Sequence, residues 1–184
     1  MTGTSGKAAP RVALETGRLL LRELTAEDGN FIFQLLNEPS FLRFVGDKGI
    51  RTVDDARSWI AAGPRATYTR HGYGLYLVVL RTTGEPMGIC GLVNRDWLED
   101  PDIGFSLIPA YWGKGYAFEA ASAVMMQAGV HRLRRVLAIT NPDNRDSIRL
   151  LEKLGFHFWK TVRTPDGLEQ LSVWSNVASS SRLG

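Results

Sequence analysis

The stretch from Asp102 to Ala121 constrains the fold more than any other part of this chain. Apolar and small residues alternate from Ile103 to Leu107, which is the period of a β-strand. Pro109 ends the strand because proline has no N–H for a ladder bond. Gly113-Lys114-Gly115 and an alanine-rich helical run follow. This unit predicts an anion site, since glycines let backbone N–H groups approach a ligand and a helix N-terminus presents free N–H groups.

The glycine turn leaves an alternative open, because it fits neither of the common phosphate signatures. A P-loop requires Ser or Thr after its final Gly-Lys, whereas Gly115 is followed by Tyr116. A dinucleotide fingerprint requires a third glycine or an alanine three residues after Gly115, where this chain has Phe118. On spacing alone, a plain turn between a strand and a helix is an equally good interpretation.

The periodicity along the chain predicts a mixed α/β fold built around one central sheet. A first strand is expected within Gly17–Leu24, and a nearly continuous apolar run from Leu75 to Leu80 is typical of a central strand. Asn144 is a candidate N-cap and Gly155 a candidate C-terminal stop for one helix. The predicted order is strand, two helices, three strands, helix, strand, helix and two strands.

The length of 184 residues favours one domain, which we expect to span residues 14–177, with flexible segments at 1–13 and 178–184. Cys90 is the single cysteine, so an internal disulfide and a multi-cysteine metal site are excluded, and no metal is expected. No apolar run approaches the roughly 18 residues of a membrane span, and no signal peptide is visible. We therefore expect a cytoplasmic protein without a membrane partner.

Positive charge is concentrated between Val130 and Arg163, where eight Lys or Arg and three Asp or Glu give a local net charge of +5. Arg149 and Lys153 lie four residues apart on one helix face, and an anionic ligand would relieve their repulsion. A solvated face is the alternative. Nucleic acid is a weaker interpretation, because aromatic residues do not interleave with this region as a stacking surface requires.

Two segments, Asp102–Ala120 and Asn141–Phe156, together resemble the Gcn5-related N-acetyltransferases (GNAT). Their order and spacing are most similar to the branch of ribosomal-protein N-terminal acetyltransferases of the RimJ/RimL kind, and Glu15–Leu24 also resembles that branch. The resemblance extends roughly from Glu15 to Trp174. It implies a central mixed, mostly antiparallel sheet of about seven strands, with about four helices on both faces.

The resemblance also implies acetyl-coenzyme A as the acetyl donor. Leu107 matches the strand position whose backbone holds the pantetheine arm and polarises the thioester carbonyl. Asn144 matches a residue that binds the arm, Ser147 a position near the sulfur, and Lys153 a place near the phosphates. Trp112 departs from the Gln or Arg that the family pattern has first in its pyrophosphate loop. That loop falls on Trp112, Gly113, Lys114, Gly115, Tyr116 and Ala117.

Two residues are candidates for proton transfer. Asp102 stands where many family members have Glu, and as a base it would act through a water, with its pKa raised by roughly three units from about 3.9. Its alternative role is that of a polar residue at a strand end. Ser147 is either the general acid or a hydroxyl of a first helical turn. Glu119 is expected to be structural, and His71 is either an acid–base group or an ordinary loop residue.

The resemblance implies a primary amine as acceptor, and the sequence does not resolve it further: a protein N-terminal α-amine and a small-molecule amine both remain open. Four residues that flank the strands leading into the site are expected on the acceptor side: Tyr73, Tyr76, Arg95 and Trp97. A coenzyme A-binding sensor or partner protein without turnover is the alternative function. Whether the chain forms a homodimer is also open.

Overall fold

The computed structural model describes residues 10–178, so most of the two terminal segments predicted to be flexible lies outside the described residues. One sheet contains all eight strands of this range, in the order β1-β2-β3-β4-β5-β6-β8-β7. All neighbours are antiparallel except β5 and β6, which are parallel. The strands are β1 (Val12–Glu15), β2 (Leu19–Arg22), β3 (Leu75–Leu80), β4 (Pro86–Val93), β5 (Asp102–Leu107), β6 (Leu137–Thr140), β7 (His157–Arg163) and β8 (Gln170–Ser175).

Six α-helices complete the described part of the fold. The third and fourth are joined by a π-helical turn, Ala61–Arg65, which contains Pro64. The helices are α1 (Gly29–Leu36), α2 (Pro39–Phe44), α3 (Val53–Ile60), α4 (Ala66–His71), α5 (Tyr116–Val130) and α6 (Arg145–Lys153).

The sheet separates two apolar cores, as the alternation along β3 illustrates. Tyr76 and Val78 pack with α5 and α6 on one face, whereas Leu77 and Val79 pack with α1 and α3 on the other. Cys90 is fully buried in the first core, and burial raises the pKa of its thiol. It is therefore a small apolar residue of the core.

The predicted mixed fold with a mostly antiparallel sheet is confirmed, with one strand more than expected. The additional strand β1 lies at the sheet edge, contains four residues and is bulged between Val12 and Leu14. Its burial does not alternate, so no period of two marks it in the sequence. The helical region before β3 contains four short helices, two of which have only six residues.

The close approach of β3 and β4 gives a first testable result. A Cβ atom at Gly91 would lie 1.9 Å from the carbonyl oxygen of Gly74 and 2.7 Å from the Cα of Leu75, which are backbone atoms that cannot rotate away. We expect Gly91→Ala to lower the free energy of unfolding by about 3 kcal/mol in urea titrations. Gly129→Ala is the control, because nothing lies within 4 Å of its Cβ position in α5. Equal stability of both variants would contradict this packing.

Candidate active site

Strands β5 and β6 separate soon after they meet, and this leaves a gap in the sheet. Only Asp102 and Leu137 are in register, with the N–H of Leu137 donating to the carbonyl of Pro101 at 2.9 Å. On the opposite edge of β5, the N–H of Ile108 donates to the carbonyl of Met87 in β4 at 2.9 Å. Along a strand, the backbone N–H and C=O groups of successive residues point to opposite edges. Since those of Ile108 point toward β4, those of Phe105 and Leu107 point the other way, into the gap.

The glycine turn and the first turn of α5 lie at one side of this gap. Gly113 and Gly115 have φ values of 70° and 78°, in the left-handed region that favours glycine. Gly115 is the N-cap of α5, and its carbonyl accepts the N–H of Glu119 at 3.0 Å. The three N–H groups before Glu119 have no partner within the helix, so the helix presents donors and the positive end of its dipole.

A groove of about 500 Å³ runs over this helix start, and most of the predicted cofactor residues line it. Lys114 is not among its lining residues: the ammonium donates to the carbonyl of Ala110 at 2.9 Å and lies 5.7 Å from the Tyr111 ring. The predicted residues that do line the groove are Leu107, Trp112, Gly113, Gly115, Tyr116, Ala117, Asn144, Ser147 and Lys153.

Trp112 ties the glycine turn to the end of β5. Its indole Nε1–H donates to the carbonyl of Leu107 at 2.7 Å, while the side chain remains 48% exposed. One of the two lone pairs of the Leu107 carbonyl is therefore used, and the other lone pair and the N–H of Leu107 remain to meet a ligand in the gap. This contact gives the unusual tryptophan of the loop a structural role.

Helix α6 contributes the opposite wall of the groove. The Oδ1 of Asn144 accepts the N–H of Ser147 at 3.2 Å, so Asn144 is the N-cap that the sequence predicted. Its amide nitrogen retains two donors that this cap does not use. The Lys153 ammonium lies 4.2 Å from the centre of the Phe118 ring, and Arg149 is paired with Asp146. Asp146 thus eases the repulsion expected between Arg149 and Lys153.

Asp102 lies at the start of β5 and is only 1% exposed. Its Oδ1 accepts from Nε of Arg95 at 2.9 Å, whereas its Oδ2 has no hydrogen-bond partner within residues 10–178. Burial raises the pKa of Asp102, and the charge and hydrogen bond of Arg95 oppose that shift only in part. A carboxyl group with a raised pKa and one free oxygen is suited to exchange a proton with a neighbouring group.

A second groove, of about 320 Å³, meets the first at Phe105, Asn144 and Ser147. Asp102 lines this second groove, together with two residues predicted on the acceptor side, Arg95 and Trp97. Phe44 and Val45, from the end of α2, border both grooves. The outer walls carry opposite charges, with Lys48 from the loop after α2 and Asp166 and Glu169 from the β7–β8 hairpin.

Tyr73 and Tyr76 do not take the places predicted for them on the acceptor side. Both side chains are at most 5% exposed and belong to the core beneath α5. The Tyr76 hydroxyl accepts from Nε2 of Gln127 at 3.0 Å, and the Tyr73 ring packs between His71 and His131. Strand β3 is buried on both faces, so its apolar run gave no indication of which side chains face the site.

Glu119 has the structural position expected for it, with hydrogen bonds to the turn between β1 and β2.

Among the described residues, no group of three or more His, Cys, Asp or Glu is arranged to hold a metal ion. In the same part of the chain, no helix combines the length and the apolar character needed to cross a membrane.

Residues 18–157 match the family model described as Acetyltransferase (GNAT) domain. The chain is 32% identical over 160 residues to the uncharacterized protein YkkB of Bacillus subtilis, covering 83% of this chain and 90% of YkkB. The crystal structure of the acetyltransferase from Agrobacterium tumefaciens is similar at a TM-score of 0.76 and 25% identity, covering 92% of this chain and 95% of that one. The ribosomal α-N-protein acetyltransferase RimL in complex with coenzyme A has a TM-score of 0.75 at 15% identity, covering 90% and 97%, a likeness in fold alone.

Proposed function

Since this chain belongs to the GNAT acetyltransferase family and is therefore an acyltransferase, we propose that it transfers an acetyl group from acetyl-coenzyme A to a primary amine by direct attack on the thioester. One observation carries the proposal: two grooves meet at the gap between β5 and β6, beside the buried carboxyl of Asp102. A donor and an acceptor that enter from opposite sides would bring their reacting atoms together there.

The larger groove is the site that we assign to acetyl-coenzyme A. Its volume of about 500 Å³ lies within the usual range for ligand sites. The N–H groups of Tyr116, Ala117 and Phe118 suit the pyrophosphate, as in other helix N-terminal phosphate sites. Lys153 lies at the same groove and adds a positive charge. The pantetheine arm would then extend along β5 toward Leu107 and Asn144.

The smaller groove is the site that we assign to the amine. An amine that has lost its proton attacks the thioester carbonyl, and a C–N bond forms as the C–S bond breaks. Asp102 takes the proton through a water bound at Oδ2, and its raised pKa makes it a better base than an ordinary aspartate. The N–H of Phe105 or Leu107 in the gap stabilises the oxyanion, and Ser147 passes the second proton of the attacking nitrogen to the departing thiolate as its own hydroxyl is restored.

Ser147→Ala tests the proposed acid. We expect kcat to fall about 100-fold, because the thiolate would have to leave without a proton donor, while the Kd for acetyl-coenzyme A stays within about twofold. Stopped assays of free thiol measure kcat, and calorimetry measures Kd. Ser122→Ala, on α5 and outside the lining of both grooves, is the matched control. Parent-like turnover by Ser147→Ala would assign Ser147 only to the first turn of α6.

The acceptor class follows from a screen of amines. The groove volume of about 320 Å³ fits a small amine or the first residues of a peptide, and its walls offer Asp166 and Glu169 to a cationic group and Lys48 to an anionic one. Release of free coenzyme A should be measured with peptides that differ in their first residue, polyamines, amino acids and aminoglycosides. N-terminal peptides as the best substrates would support a RimJ/RimL-like role. No turnover with any amine, despite tight binding of acetyl-coenzyme A, would favour a sensor.

We also propose a cytoplasmic location and a single domain over residues 14–177.

A further inference from the structure

The turn between β1 and β2 contacts the glycine turn, although the two lie almost a hundred residues apart in the chain. The Arg18 guanidinium makes one hydrogen bond to the loop and one to α5: Nη1 donates to the carbonyl of Lys114 at 3.0 Å, and Nε donates to Oε2 of Glu119 at 2.6 Å. It also lies 4.4 Å from the centre of the Tyr116 ring. One side chain therefore contacts Lys114 in the loop, Tyr116 at the helix start and Glu119 in the first helical turn.

Glu119 is a carboxylate in the first turn of α5, where the positive end of the helix dipole also favours its ionised form. Its Oε1 accepts from the hydroxyl of Thr16 at 2.6 Å and from the backbone N–H of Arg18 at 2.9 Å. Burial raises the pKa of Glu119, but these hydrogen bonds and the charge of Arg18 outweigh it, so the pKa lies below its ordinary value. The ionised carboxylate would repel an anion at the helix N-terminus, and Arg18 neutralises it.

We propose that Arg18 is a positioning residue for acetyl-coenzyme A. Gly113 and Gly115 can adopt many backbone conformations, and Arg18 holds the carbonyl between them so that the N–H groups of α5 face the larger groove. It acts through the loop, because Arg18 is not among the lining residues of that groove. The inference rests on the proposed function, since it assumes that this groove takes the donor.

Arg81 provides a matched control within the same structural neighbourhood. Its Nη1 donates to the carbonyl of Thr16 at 2.8 Å, and its Nη2 lies 3.0 Å from Oε1 of Glu15. The two arginine side chains have similar exposed fractions, 47% for Arg18 and 42% for Arg81. Arg81 therefore braces the same turn, but its hydrogen bonds and ion pair go to the turn and not to the glycine loop.

The test compares four proteins, namely the parent, Arg18→Gln, Arg18→Lys and Arg81→Gln, well below their unfolding temperatures. Calorimetric titration with acetyl-coenzyme A should give a Kd that rises about tenfold or more for Arg18→Gln, the scale of a lost charge-assisted hydrogen bond. Arg81→Gln should stay within about twofold. Arg18→Lys should be intermediate, because an ammonium keeps the charge but not the fork that reaches both Lys114 and Glu119.

Amide hydrogen exchange without ligand supplies a second readout. Exchange at the N–H of Glu119, which forms the first hydrogen bond of α5 to the carbonyl of Gly115, should become faster in Arg18→Gln and stay unchanged in Arg81→Gln. Equal Kd values for these two variants, or a loss of thermal stability in Arg18→Gln with an unchanged Kd, would overturn the inference. If the parent itself does not bind acetyl-coenzyme A, the proposed donor site fails, and the role of Arg18 in binding fails with it. If the parent binds acetyl-coenzyme A and Arg18→Gln binds it with the same Kd, the role of Arg18 fails while the proposed donor site stands.

Discussion

Asp102→Asn should lower kcat by at least about 100-fold and leave the Kd for acetyl-coenzyme A within about twofold of the parent. Asparagine preserves the size of the side chain and its contact with Arg95 but cannot accept the proton. The carboxyl lies at the lining of the smaller groove and not of the larger one, so donor binding should survive. Steady-state assays of thiol release and calorimetry measure the two quantities.

The pH profile separates loss of the base from general damage. The pKa of Asp102 is raised in the folded protein, mainly by burial. Below this pKa the group is protonated and cannot act as a base, so kcat/KM of the parent should rise with pH through it. This rise of kcat/KM with pH should be absent from the residual activity of Asp102→Asn.

Asp100→Asn is the matched control, two residues earlier in the chain. Asp100 is ion-paired with Arg135 at 2.6 Å and is not among the lining residues of either groove. It should keep the parent turnover and pH profile. If Asp102→Asn turns over like Asp100→Asn, Asp102 is only a polar residue at the end of a strand, and another group removes the proton.

Gly115→Val should raise the Kd for acetyl-coenzyme A by at least about 100-fold. The φ of Gly115 is 78°, a conformation that is strained for a β-branched residue. Its Cβ would also lie 3.4 Å from Nη2 of Arg18, so the two γ methyl groups of valine would crowd the guanidinium that contacts the loop. Both effects move the N–H groups of α5 away from the place where a pyrophosphate would bind. Calorimetric titration gives the Kd directly.

Gly84→Val separates backbone strain from loss of the site. Gly84 lies in the turn between β3 and β4 with a φ of 75° and nothing within 4 Å of its Cβ position. It should lose stability through the same strain and keep its Kd. Gly115→Ala, which adds only the Cβ, gives a milder form of the same change if the valine variant does not fold. A Kd within about threefold of the parent for Gly115→Val would show that the turn does not bind the donor.

The parts of the site that the sequence predicted are those set by local chemistry. The glycine turn is recognisable because only glycine adopts positive φ freely, and Asn144 because an N-cap needs a side-chain acceptor close to the first helical turn. Each of these signals is contained within a few consecutive residues. The same holds for the alternation of residues along β5.

The parts that the sequence did not predict depend on contacts between distant segments. Arg18 lies in a turn before β2, and nothing near it in the chain indicates that it reaches Lys114. Phe44 and Val45 come from a six-residue helix without a strong period, so no pattern placed them over the grooves. Tyr73 and Tyr76 are buried in and just before β3, whereas Arg95 and Trp97 lie in the loop after β4 and line the smaller groove. A continuous apolar run does not reveal which of its side chains face a site.

The most direct test of this account is whether the protein binds the donor at all. Thermal unfolding should be followed with acetyl-coenzyme A, coenzyme A and ATP, each titrated to millimolar concentration. Ligand at about 100 times its Kd adds about 2.7 kcal/mol to the free energy of unfolding, which raises Tm by roughly 5–10 °C in a chain of this size. We expect that increase with both forms of coenzyme A and little change with ATP. No increase with any of the three, or an equal increase with ATP, would contradict a coenzyme A site at the glycine turn.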